Sequence, residues 1–154
     1  MRGSNWLVAG GVLSTIAALL HLAIIVGGPE WYRFFGAGEG MARAAERGNA
    51  TPAIYAVLIA LILFVWAAYA FSGAGLLRRL PLLRTGLVTI SAVYLLRGLA
   101  LVPLLMFRPQ LVDSFAIWSS LIVLVYGICY AAGTWTAWRH MGAPPKTATA
   151  RTDN

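Results

Sequence analysis

The sequence predicts an all-α integral membrane protein: a four-transmembrane-helix bundle with a partly structured or re-entrant loop between helices 1 and 2. Three observations lead there. Of the 154 residues, 60% are apolar and only 11% are charged, against ~45–50% and ~25% in an ordinary soluble domain. Mean hydropathy is +0.76. The charges are also gathered into clusters separated by long stretches that carry almost none. A water-soluble globule and a disordered chain do not have this composition, and the single cysteine excludes an intramolecular disulfide.

The charge gaps locate the spans. Counting only Asp, Glu, Lys, Arg and His, the stretch between Arg2 and Glu30 holds just His21, and that between Arg47 and Arg78 holds none. Between Arg84 and Arg108 the only such residue is Arg97, and between Asp113 and Arg139 there is none. A hydrocarbon core of ~30 Å needs ~20 helical residues. The gaps therefore predict helices over 5–27, 52–76, 81–106 and 113–139, forming one domain over 1–141, with a disordered cytoplasmic tail over 142–154. The runs lack the alternation of barrel strands. The first one, Trp6 to Val26, is longer than a signal-peptide core, with Gly27-Gly28-Pro29 as its expected end.

Lys and Arg in short loops set orientation. The 2–3 loop has Arg78, Arg79 and Arg84 with no acid. The tail has Arg139, Lys146 and Arg151, and the N-terminus has Arg2. The 1–2 loop mixes Arg33, Arg43 and Arg47 with Glu30, Glu39 and Glu46. Both termini are thus expected in the cytoplasm of a cell with an inner (plasma) membrane, and the net charge of +7 is assigned to anionic lipid rather than nucleic acid.

The 1–2 loop is too apolar at Trp31–Phe35 to hang free, so it should lie in the interface or dip into the bundle. A short helix is expected from about Met41 to Arg47, with Glu39 and Arg43 paired at i,i+4 and Gly48-Asn49 as its stop. Pro52 and Pro81 suit first helical turns, and Pro103 should bend the third span. Small residues mark packing seams in lipid: Gly10, Ser14 and Ala18 in span 1; Ala56, Ala60 and Ala67 in span 2; Ser119, Gly127 and Ala131 in span 4.

Candidate chemistry centres on Arg97, about ten residues, or ~15 Å, from the outer end of span 3. A lipid-facing arginine there costs at least ~2.5–3.5 kcal/mol, so it is expected to face the bundle interior, served by Glu30 or Glu39 if the loop dips, or by Tyr94. His21 lies in the same half of the membrane. The expected ligand-binding set is Arg97, His21, Tyr94, Glu39 and Glu30. Metal binding is not expected, since His21 has no second histidine or cysteine nearby. A single haem cannot be shared by His21 and His140, which lie at opposite ends, and no cofactor is expected. Trp66, Tyr69, Tyr126 and Tyr130 cluster in spans 2 and 4, and Cys129 reads as packing.

Four spans in a basic chain of 154 residues resemble, in outline, the DoxX-like proteins and the eicosanoid- and glutathione-metabolising membrane proteins. For the latter, Arg43–Asn49 is similar to the basic, asparagine-containing motif of the first loop, with Ala50-Thr51-Pro52 where an acidic residue is expected. The likeness is confined to these few residues and implies neither an activity nor a site.

The expected function is binding of a lipophilic or amphipathic small molecule in an outer-half intramembrane cavity. An accessory or assembly subunit of a membrane complex, an enzyme acting on a lipid-like substrate, and an oligomeric transporter stand as alternatives. Expected partners are the bilayer, such a ligand, and a further copy or a membrane-protein subunit.

Overall fold

Each charge gap becomes a helix in the computed structural model, which describes residues 2–139 and 141. The chain forms α1 (Arg2–Phe34), α2 (Glu39–Glu46), α3 (Thr51–Gly73), α4 (Leu83–Leu99), α5 (Leu101–Phe107) and α6 (Ser114–Ala137), with a 3-10 turn at Pro109–Leu111. No strand occurs among the described residues. Four segments are long and apolar enough to cross a membrane: Asn5–Phe34, Thr51–Gly73, Leu83–Phe107 and Ser114–Ala137. His140 and the expected tail, 142–154, lie outside the described residues.

The expected end of the first helix is instead a kink. Gly28 adopts φ 69° and ψ −156°, a conformation essentially reserved for glycine. Pro29 then opens a new helical segment, where its missing N–H costs nothing, and the chain stays helical to Phe34. The block Trp31–Phe35 is therefore largely helical. It turns back at Gly36 and Gly38, both with positive φ, into α2. That helix starts at Glu39, two residues earlier than expected. It ends as expected: Gly48 N–H bonds Ala45 O, Asn49 N–H bonds Ala44 O, and Gly48 has φ 70°, the pattern of a Schellman stop.

Pro52 sits in the first turn of α3. Pro103 has the foreseen effect: it has no N–H to continue the ladder, and the third span divides at Ala100 into α4 and α5. Asp113 caps α6, its carboxylate accepting from Ala116 N–H at 2.7 Å.

The four long helices pack up-down-up-down. α1 lies between α3 and α6, α4 packs mainly on α6 and more thinly on α3, and α2 bridges α1 and α3. Leu7, near the start of α1, sits against Gly73 at the end of α3 and Gly133 towards the end of α6, so neighbours run antiparallel. Gly98 of α4 lies so close to α6 that a Cβ there would come 2.9 Å from the Leu124 backbone.

Size is sorted in the reverse of a soluble core. The buried stripes are rich in small residues, among them Ser14, Ala18, Ala56, Ala60, Ala67 and Ala70, and the expected seams at Gly10, Ser14 and Ala18 and at Ala56, Ala60 and Ala67 are all buried. The outside carries Ile16, Leu19, Leu61, Ile62, Val65 and Ile122, each about half exposed. Close backbone approach inside and bulky aliphatics outside suit a bundle whose surroundings are themselves apolar.

Candidate functional site

The core of the bundle contains one polar hub. Ser14, fully buried on α1, is 2.9 Å from both the Tyr94 hydroxyl of α4 and the Tyr130 hydroxyl of α6. A serine oxygen can accept from both phenols, or donate to one and accept from the other. Tyr94 is also the centre of an aromatic cluster, edge-on to Trp66 at 4.8 Å and to Tyr126 at 5.5 Å. Its environment is thus filled by helices 1, 3 and 6. Of the expected aromatic group, Trp66, Tyr126 and Tyr130 belong to this cluster, whereas Tyr69 turns away to donate to Pro81 O.

Glu30 and Glu39 do not reach Arg97. They converge on Arg33, whose Nη1 is 2.8 Å from Glu30, Nε 2.9 Å from Glu39, and Nη2 2.6 Å from Glu46. Arg43 adds the expected i,i+4 contact to Glu39 at 3.0 Å. The helical run from Pro29 to Phe34 explains the choice: it sets Glu30 and Arg33 one turn apart and aims Arg33 at α2. Hydrogen bonds from Arg33, then Arg43, hold the Glu39 carboxyl down to about 2. The network fastens α2 to the end of α1 from the outside. Ile24, Tyr32 and Ala42 do so from the inside, with Phe35 and Met41 packed on them.

Beneath this roof lies a cavity of about 370 Å³ between α1, α2 and α3. Its walls include Tyr32, Met41, Tyr55, Ala56 and Ile59, and its one ionisable group other than tyrosine is His21. His21 Nδ1 is 2.8 Å from Ala17 O. A carbonyl only accepts, so Nδ1 carries the proton, and in the neutral ring Nε2 is left as an acceptor. Among the described residues no carboxylate orients the ring, so the arrangement is that of a hydrogen-bonding group and not of a histidine–acid pair.

Arg97 stands elsewhere. Leu87, Ser91, Tyr94 and Gly98 form the buried stripe of α4. At ~100° per residue Arg97 falls roughly 90° from the middle of that stripe. It lies exposed on the flank of the bundle, its Nη1 donating to Ser120 Oγ of α6 at 3.2 Å. The expected inward-facing arginine is therefore corrected: helical phase, set by the packing of Gly98 on Leu124, outweighs the preference of the charge for the interior. The structure thus separates the five expected residues into a cavity residue (His21), two roof residues (Glu30 and Glu39), a core residue (Tyr94) and a flank residue (Arg97).

Sequence reasoning missed Arg84. Its guanidinium lies 4.8 Å over the Trp138 ring and its Nη2 donates to Trp138 O at 2.7 Å, a contact across 54 positions that no local pattern announces. Among the described residues no three His, Cys, Asp or Glu side chains gather to hold a metal ion. Cys129 is buried in α6. The chain matches no protein-family model, no curated protein and no solved structure.

Proposed function

We propose that this chain is an integral protein of the inner (plasma) membrane, with both termini cytoplasmic, that binds a lipophilic or amphipathic small molecule in the His21 cavity. Four apolar helices and an exterior of bulky aliphatics support the membrane reading. The α3–α4 turn, counted through Arg84, and the roof carry three arginines each, and Arg2 with Arg139, Lys146 and Arg151 adds to the α3–α4 side; the excess of Lys and Arg there supports the orientation, since the cytoplasmic side collects these residues. The cavity then lies in the outer half.

The observation that carries the binding reading is the cavity itself: 370 Å³ of mainly apolar space with one hydrogen-bonding histidine. It falls within the ~300–1,000 Å³ of ordinary ligand sites, which combine apolar walls with a few placed polar groups. With Nε2 as acceptor, the favoured ligand is a flat or branched apolar molecule bearing one hydroxyl or N–H donor. Glu30 and Glu39 act through Arg33 by holding the roof, and Tyr94 acts through Ser14 by fixing α1. Native mass spectrometry of gently extracted protein tests this. A small molecule of defined mass should be retained by the parent and lost from Ala56→Trp, which fills the cavity, and from His21→Leu. Retention in both variants, or a bare parent chain, overturns it.

A second reading, an accessory or assembly subunit, is favoured by Arg97. An exposed guanidinium about ten residues inside an apolar span, hydrogen-bonded to one serine, is expensive against lipid and is relieved by a partner helix bearing an acid or several carbonyls. Recovery of one stoichiometric membrane partner, lost in Arg97→Leu, would place the protein in that class.

A further inference from the structure

A second and larger concavity lies on the opposite end and side of the bundle, along α4 and α6. It is a groove of about 720 Å³, walled by Val88, Ala92, Leu95, Ala131 and Trp135 and open along the apolar exterior. Its end is basic. Arg139 lines it, and Arg84 is stacked on Trp138 beside it. Two polar atoms here have no hydrogen-bond partner although both are buried: Arg84 Nε and the hydroxyl of Thr134, a groove residue only 5% exposed. The four described acids, Glu30, Glu39, Glu46 and Asp113, all sit at the other end of the molecule, so among the described residues no carboxylate lies beside the two guanidinium groups.

We propose that this groove is a binding site for one anionic phospholipid, with an acyl chain lying along α4 and α6 and the headgroup phosphate held by Arg84 and Arg139. The level is right: Arg84 and Arg139 bracket the ends of the apolar segments Leu83–Phe107 and Ser114–Ala137, where headgroups meet hydrocarbon. The charge is right: arginine pairs with phosphate through paired N–H donors, and Trp138, itself covered by Arg84, is the amphipathic ring that favours this depth. The surface is right: the walls are apolar and face what the bilayer supplies, so an aqueous anion alone would leave the groove empty. The inference rests on the membrane reading but not on the His21 cavity.

The full chain is reconstituted in phosphatidylcholine nanodiscs and titrated with phosphatidylglycerol, and bound lipid is counted by native mass spectrometry. The parent should prefer phosphatidylglycerol over phosphatidylcholine by about tenfold or more, as two juxtamembrane arginines allow. The preference should collapse in Arg84→Gln/Arg139→Gln. It should also fall in Ala92→Trp, which blocks the groove and keeps both charges, and persist in Arg78→Gln, which removes a basic side chain from the same end. Equal binding of the two lipids, or a preference that survives both the double variant and the blocked groove, overturns the proposal. A chain that fails to enter nanodiscs at all refutes the membrane reading instead.

Discussion

Replacing Ser14 with alanine deletes a single oxygen from the centre of the bundle, and its cost can be worked out beforehand. Ser14 is fully buried and makes two hydrogen bonds of 2.9 Å, to Tyr94 and Tyr130. Side-chain hydrogen bonds between membrane helices are worth ~0.6 kcal/mol on average and up to ~1.7. Losing both therefore costs ~1–3 kcal/mol, a range that also covers stranding a buried hydroxyl. Tyr130→Phe alone removes one of the two and should cost about half as much. The triple variant Ser14→Ala/Tyr94→Phe/Tyr130→Phe removes donors and acceptors together, leaves no stranded phenol, and should be less destabilised than the sum of its single changes. Unfolding in dodecyl maltoside–dodecyl sulfate mixed micelles, followed by circular dichroism, measures each difference. Ser14→Ala within ~0.3 kcal/mol of the parent, or strictly additive single variants, would refute the claim that the three hydroxyls act as one unit.

Two further outcomes follow from particular residues. The Glu39 carboxyl is held at about 2 against an ordinary 4.5 by its hydrogen bonds from Arg33 and Arg43; a lowered folded value means that its stabilisation is complete above about pH 4.5 and is lost as the pH falls towards 2. Amide NMR shifts of residues 39–46 should report α2 loosening in that window, and Glu39→Gln should be loosened already at neutral pH. Leu82, just before α4, is held in the left-handed region at φ 51° and ψ 32° with its side chain 78% exposed. That conformation costs a non-glycine residue ~1–2 kcal/mol, so Leu82→Gly should raise the thermal midpoint, by the equivalent of up to ~1 kcal/mol after glycine's extra chain entropy is subtracted. A lowered midpoint would show that Leu82 makes a packing contribution its exposure does not suggest.

The spans, the break in the third span one turn ahead of Pro103, the Asn49 stop after α2 and the small-residue seams through Ser14 and Ala56 are written in local sequence. Dehydrating a backbone segment, losing one N–H or bringing two helices close depends on a residue and its neighbours within a turn or two, and such terms can be read in order along a chain. The Glu30–Arg33 contact is an i,i+3 spacing of the same local kind, although the sequence alone points Glu30 towards Arg97. Tertiary structure alone decided how far each helix is rotated about its own axis. That rotation is set by the sum of many weak contacts, such as Gly98 on Leu124 and Leu7 on Gly133, and it determines which side of a helix a given residue occupies. It carried Arg97 to the flank, Tyr94 to the core and His21 to a cavity. It also opened, between α4 and α6, a groove whose two arginines are 55 positions apart in the sequence.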